Sequence, residues 1–281
     1  MTQLSNANDP AGTGSDAKMV GADKLRSLAT AESPRALGGW LTVASSEYLA
    51  ALSASSLDYI GIDCQHGLSS EADVARMLVE AGPSPVPLLV RVSANRTELI
   101  QRVIDAGADG VIIPLVNDAE EARSAVSAVK FPPEGVRSYG PVARHIPREP
   151  AELARRVLVL AMIESEAGVK NVNEILAVPG IDGVYVGPAD LGLSLGLGHQ
   201  QFPTTPQLSD ALKTIAAAAH GASKIAGLHS GSEFFVEMYR SLGFTLLTMG
   251  IHSSFVLAGV ERALERVNAP KNILSGTSPY G

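Results

Sequence analysis

PLLVRVSANRTELIQRVIDAGADGVIIP (residues 87–114) holds two short apolar runs joined by a helical stretch, and it decides the fold. PLLVRV (87–92) and GVIIP (110–114) are apolar on both faces, as strands of a parallel sheet covered on both sides are. RTELIQRVIDAG between them has helical apolar spacing and ends in Ala-Gly, suited to leaving a helix through a left-handed residue. The same alternation extends in both directions. GGWLTV (38–43) and DYIGID (58–63) precede it, and VLVLAMI (157–163), DGVYVG (182–187), KIAGLH (224–229) and FTLLTMG (244–250) follow. EADVARMLVEAG, DAEEARSAVSAV and EAGVKNVNEILAV are among the helical stretches between them. Eight strand–helix units in roughly 240 residues match a (β/α)8 TIM barrel, an α/β fold of about 250 residues. The runner-up, a doubly wound open sheet, normally carries a Gly-rich phosphate fingerprint after its first strand. Here GGWLTV is followed by ASSEYL, which has none.

The chain has 281 residues, of which 46% are apolar. Residues 21–281 are expected to form a single barrel domain with a short leading helix at 22–30. Residues 1–20, MTQLSNANDPAGTGSDAKMV, are polar and small, and read as a mobile tail. The longest apolar run, 157–163, is far short of the ~20 residues that span a bilayer, so a transmembrane helix is excluded. A net charge of −7 without a basic cluster argues against general nucleic-acid binding. Charged residues are 18%, below the ~25% usual for soluble domains. Sparse charge suggests a surface partly covered by copies of the chain. The single cysteine, Cys64, forms no internal disulfide, and no basic-then-apolar leader opens the sequence; both point to the cytoplasm.

Catalytic side chains of such barrels come from the C-terminal strand ends. Those positions hold Asp63, Gln65, His66, Arg91, Glu164, Asp190 and His229. A carboxylate closing VLVLAMI needs a partner, because an isolated buried charge is costly. For Glu164 that partner is either Arg91, in a structural pair, or Asp190 around a divalent cation with oxygen ligands. His66, in DCQHG, is a capping residue or a general base whose tautomer is set by Asp63 or another carboxylate. Arg91 offers forked donors to a substrate carboxylate or enolate oxygen, or pairs with a neighbouring acid. His229 reads as structural and Cys64 as a packing residue. The backbone of Ala189 and Asp190, after Pro188, opens a helical turn suited to a substrate carboxylate. GLSLGLG lacks the lysine of a nucleotide loop. Lys224, Lys130, Lys170 and Lys213 are misplaced for an imine at the barrel mouth, so carbanion chemistry here needs a metal. Two connections are long: 131–150, which starts at the bottom of the barrel, and 188–203, which leaves from the top.

Together, GGWLTVAS, DYIGIDCQHG, LLVRV, VIDAGADGVIIPLVNDAEEA, FPPEGVRSYG, AMIESEAGVKNVNEI and IDGVYVGPADLGLSLG resemble the HpcH/HpaI aldolase family across most of residues 38–200. The family comprises metal-dependent class II pyruvate aldolases. The resemblance implies a lyase that cleaves 4-hydroxy-2-oxo acids to pyruvate and an aldehyde through a pyruvate enolate. It implies His66 as general base, Arg91 as enolate stabiliser, and Glu164 and Asp190 as ligands of Mg2+, Mn2+ or Co2+. Ala189, Asp190 and Arg91 are then substrate contacts. Met162 stands where heptanedioate aldolases have a substrate-binding Gln, and Gln65 where several members have Glu. Asp105, in VIDAG, matches an aspartate that raises the basicity of the histidine. Topology puts it on the opposite face, so it reaches a histidine only across a subunit boundary, in the trimers or hexamers the family forms. The alternatives are an oxaloacetate decarboxylase, a macrophomate synthase-like enolate-condensing enzyme, or a non-catalytic metabolite-binding barrel.

Overall fold

The computed structural model describes residues 21–30, 36–199 and 204–268; the polar segment 1–20 and residues 200–203 of the second long connection lie outside them. The first half runs α1 (Gly21–Thr30), β1 (Ala36–Leu41), α2 (Ser46–Ser53), β2 (Tyr59–Asp63), α3 (Glu71–Ala81), β3 (Leu88–Arg91), α4 (Thr97–Asp105), β4 (Gly110–Ile113) and α5 (Ala119–Val129). The second half runs α6 (Pro150–Arg155), β5 (Leu158–Ile163), α7 (Glu166–Lys170), α8 (Val172–Ala177), β6 (Gly183–Val186), α9 (Pro188–Ser194), α10 (Pro206–Gly221), β7 (Ile225–His229), α11 (Val236–Ser241), β8 (Leu246–Ile251) and α12 (His252–Asn268). All eight strands pair in parallel and in order, and β8 closes on β1. This is the (β/α)8 barrel expected from the alternation. Among the described residues, no helix is long and apolar enough to cross a membrane.

Local chemistry sets the element ends. Ser70 and Asp73 form a reciprocal capping box on α3, and the Asp118 carboxylate accepts from the Glu120 and Glu121 N–H groups at the start of α5. The chain leaves α4 through Gly107, whose φ of 116° is open to glycine at little cost. EAGVKNVNEILAV is broken at Asn171 into α7 and α8. The first strand starts at Ala36 rather than at 38, because Ala36 and Leu37 pair with Leu246 and Leu247 of β8.

Two apolar layers result. Outside the barrel, strands and surrounding helices share a continuous core; inside it, Trp40, Tyr59, Leu89, Ile112, Leu160, Met162, Tyr185 and Leu246 fill the lumen. Ala22 and Leu25 of α1 belong to this inner cluster, so the leading helix plugs the barrel bottom. Arg26 ties it there, donating to Asp182 at 2.8 Å and to the Val157 carbonyl at 3.1 Å. Large rings fit the lumen only because glycines face them. A Cβ on Gly61 would lie 2.0 Å from the Trp40 ring, and one on Gly38 would lie 2.2 Å from Tyr59. The buried Tyr59 and Tyr185 hydroxyls both meet Thr248 Oγ1, at 2.8 and 2.5 Å.

The long segment 131–150 stays at the bottom. The Val142 and Ala143 N–H groups donate to the Asp105 carbonyl, and Phe131, Ala143, Ile146 and Leu153 form a small core of their own. Helix α12 departs from the expected eighth unit. It buries none of its side chains, and Val256, Leu257, Val260, Leu264 and Val267 are exposed along it.

Gly61→Ala should destabilise the fold by about 3 kcal/mol, the upper range for overpacking a filled core, because backbone and indole cannot both keep their places. Urea unfolding measures this, and a shift within about 0.5 kcal/mol of zero, the ordinary surface range, would mean that the lumen has slack.

Candidate active site

The strand register brings Asp63 and Arg91 side by side, since they are paired positions at the ends of β2 and β3. Arg91 Nε donates to Asp63 Oδ1 at 2.8 Å and Nη2 to Oδ2 at 2.5 Å, a forked pair that is almost wholly buried. Burial alone would raise the Asp63 carboxyl. The hydrogen bonds and charge of Arg91, with the N–H groups of Gln65 and His66, outweigh it and hold Asp63 below the ordinary carboxylate range. Asp63 therefore does not orient the imidazole, as the DxxH spacing had allowed. It accepts from the backbone N–H groups of Gln65 at 3.0 Å and His66 at 3.3 Å, and so shapes the loop that carries the histidine. His66 itself is exposed at the barrel mouth.

The pair with Asp63 also answers what Arg91 does for Glu164. The guanidinium lies over the Trp40 ring, 5.5 Å from its centroid, and its remaining Nη1 faces Met162 Sδ at 4.0 Å. No hydrogen bond joins it to Glu164. Glu164 sits at the end of β5, 3% exposed, with Oε1 accepting from the Leu115 N–H at 2.8 Å. Its Oε2 is buried with no hydrogen-bond partner. Such an orphan is rare in native proteins and costs roughly 1–3 kcal/mol or more if nothing fills the gap.

Beside that oxygen the backbone is bare. A Cβ on Gly187 would lie 3.0 Å from Glu164 Oε2, 3.8 Å from Asp190 Oδ2 and 2.7 Å from Met162 Cε. The two carboxylates thus flank one small space that only glycine leaves open. Burial, with the Asp190 charge added, pushes the Glu164 carboxyl up to about 7, against the lowering by the Leu115 N–H and Arg91. Two carboxylates around a space, one partnerless, suit a hard divalent cation. Among the described residues no cluster of three or more His, Cys, Asp or Glu stands ready for a metal.

The remaining candidates separate clearly. Ala189 and Asp190 are half-buried in the first turn of α9, beside the space. Met162 is buried against it. His229 packs edge-on against Trp40 at 5.0 Å between ring centroids, and burial, then Arg91, pushes its pKa down to about 4, so it stays neutral. Cys64 is buried, which pushes its thiol well up. Asp105 ends α4 at the bottom of the barrel, where it binds the wholly buried Arg137 at 2.6 Å. Within one protomer it is therefore on the opposite face from His66. Gly187, Trp40, Leu115 and Asn117 were not singled out from the sequence. Gly187, at the end of a strand run, was open to such a reading. The other three reach the site through ring packing and a loop conformation that spacing does not encode.

Comparisons with known proteins identify the family. The family model "HpcH/HpaI aldolase/citrate lyase" matches residues 36–257. A 4-hydroxy-2-oxo-heptane-1,7-dioate aldolase of Salmonella paratyphi A is 32% identical over 250 residues, covering 87% of this chain and 94% of that protein. A solved HpcH/HpaI aldolase/citrate lyase family protein of Burkholderia cenocepacia superposes with a TM-score of 0.76 at 29% identity, over 89% of this chain and 100% of that one. The citrate lyase beta subunit of M. tuberculosis, solved with oxaloacetate and magnesium, shares the fold with a TM-score of 0.56 at 19% identity, covering 81% and 95% of the two chains.

The raised Glu164 carboxyl has a definite pH consequence. Between its ordinary value of 4.5 and about 7, the folded metal-free protein holds a proton that the unfolded chain releases. Stability should therefore fall as pH rises through that window. Glu164→Gln should remove this slope and stabilise the metal-free fold at pH 8 by about 1–3 kcal/mol. Denaturant midpoints at pH 5, 6, 7 and 8 test it, and parallel slopes for the two proteins would contradict it.

Proposed function

The chain belongs to the HpcH/HpaI aldolase/citrate lyase family and is an aldolase, and from that premise we propose that it cleaves 4-hydroxy-2-oxo acids to pyruvate and an aldehyde at the mouth built from Glu164, Asp190, Arg91 and His66. The observation that carries this reading is the partnerless Glu164 Oε2, facing Asp190 across the space beside Gly187. Glu164 and Asp190 would hold a divalent cation, Mg2+, Mn2+ or Co2+. When bound, the cation polarises the 2-keto group of the substrate.

The chain's own groups account for the rest. Ala189 and Asp190 border the position for the substrate carboxylate. His66, exposed at the mouth, takes the proton of the 4-hydroxyl as the C3–C4 bond breaks. The bond's electrons become the enolate of pyruvate, which is released after protonation at C3. Arg91 has two of its three nitrogens committed to Asp63, and its Nη1 meets only the weak thioether acceptor of Met162. That N–H is the donor for the enolate oxygen, delivered on a guanidinium that cannot swing away. Met162, in place of an amide, gives the substrate an apolar contact.

Asp105 enters this reading only through a neighbouring copy, in a homotrimer or homohexamer. It borders an open groove of about 550 Å3 between α3 and α4, together with Ala75, Val79, Gln101 and Val142, while its carboxylate is largely covered by its bond to Arg137. A cytoplasmic setting is part of the same proposal, supported by the single cysteine of the sequence.

Exhaustive chelation should abolish aldol cleavage, with Mg2+, Mn2+ or Co2+ restoring it; full activity after chelation refutes the reading. Among variants, His66→Ala should lower aldol turnover by ~10²–10⁴-fold, the usual worth of a general base. It should largely spare oxaloacetate decarboxylation, which has no hydroxyl proton to remove. Arg91→Ala and Glu164→Ala should damage both reactions. Parallel losses of the two activities in His66→Ala would assign the histidine a structural role. A wild-type kcat/KM higher for oxaloacetate than for any 4-hydroxy-2-oxo acid would favour a decarboxylase.

A further inference from the structure

One side chain outside the reacting group ties together everything that aims Glu164. The Leu115 N–H that holds Glu164 Oε1 lies on the loop between β4 and α5, and Leu115 has φ 54°. A branched side chain in left-handed backbone costs roughly 1–3 kcal/mol and persists only where its surroundings impose it. Asn117 imposes it. Its Nδ2 donates to the Leu115 carbonyl at 2.8 Å and to Glu121 Oε2 at 3.3 Å, and its backbone N–H donates to the same Glu121 oxygen at 2.7 Å. Its Oδ1 accepts from the hydroxyl of Ser165, the residue that follows Glu164. Its carbonyl accepts from Asn171 Nδ2 at 2.8 Å, at the break between α7 and α8. The intervening Val116 N–H donates to the Met162 carbonyl at 3.1 Å, two residues before Glu164.

The Asn117 amide thus bridges the peptide that grips Glu164 and the chain that carries it. A carboxylate gripped through Oε1 cannot rotate freely, so the ungripped Oε2 is the oxygen that faces Asp190. We propose that Asn117 is a positioning residue for the divalent-cation site, acting through Leu115 and Ser165 to present Glu164 Oε2 to the space beside Gly187. The inference rests on the reading of Glu164 and Asp190 as cation ligands. It adds a residue that touches neither cation nor substrate.

The test is Mn2+ binding to the full-length metal-free protein, followed by the electron paramagnetic resonance signal of free Mn2+, with thermal unfolding measured alongside. Loss of an outer partner of a metal ligand typically weakens affinity by 10–100-fold, and about that loss is expected for Asn117→Ala in protein that remains folded. Ser165→Ala removes the second arm of the bridge, along with the cap that its hydroxyl gives the Gly168 N–H at the start of α7, and should weaken binding in the same direction by less. It also keeps the test open should Asn117→Ala not fold. A lower melting temperature with unchanged Mn2+ affinity in the folded variants would make Asn117 a loop staple and overturn the proposal. Glu164→Gln separates the two ideas. Abolished binding there with intact binding in Asn117→Ala refutes the positioning role alone, whereas unchanged binding in Glu164→Gln refutes the cation site and this inference with it.

Discussion

A carboxylate and a guanidinium buried together at the ends of neighbouring strands must satisfy each other, and the pairing of Asp63 with Arg91 organises the whole mouth of this barrel. Breaking such a pair leaves an uncompensated buried charge at a cost of about 3–5 kcal/mol. The parallel register of β2 and β3 sets them opposite one another, so the pair follows directly from the pairing of these two strands. Its forked geometry leaves Asp63 able to accept also from the backbone of Gln65 and His66, which bends the loop that presents the histidine. It also settles Arg91 over Trp40, which is itself stacked on Tyr185 with 6.0 Å between ring centroids.

The consequence for chemistry is a deliberate imbalance. Because Arg91 is committed to Asp63, Glu164 keeps a buried carboxylate oxygen without a partner, and burial, with the Asp190 charge added, raises its proton affinity. A cation offers that oxygen what no protein group supplies. Gly187 keeps the space open, Leu115 turns the other oxygen away, and Met162 seals the side with an apolar wall. The arrangement stores its unfavourable electrostatics where binding can use them, which is how perturbed groups mark functional sites.

The bottom of the barrel answers to a different demand. There Arg26, Arg137 and Arg156 are each paired with a carboxylate, Asp182, Asp105 and Asp109 respectively. These pairs fasten α1, the 131–150 segment and α6 to the strand entries. The two faces of one fold thus differ, with arginine–aspartate pairs fastening the bottom and, at the top, a carboxylate that keeps one buried oxygen without a partner.

Much of this was legible in the chain itself. Runs such as PLLVRV and VLVLAMI, punctuated by Ala-Gly and Pro-Gly, dictate parallel strands and helix exits, because burial on both faces and left-handed turns restrict which residues serve. Placing functional groups at strand ends then selected Asp63, His66, Arg91, Glu164 and Asp190, since strand ends and side-chain alternation are local properties. Partnership among those groups was not local. Whether Arg91 belonged to Glu164 or to Asp63 depended on which strands became neighbours and on the distance across the lumen. The break in EAGVKNVNEILAV, the left-handed Leu115 and the reach of Asn117 to Ser165 likewise follow from contacts between segments about 50 residues apart. Sequence determined the barrel and its inventory of charged groups; tertiary structure decided which charges were neutralised and which was left without a partner, because that choice is made by distance in space and not by spacing along the chain.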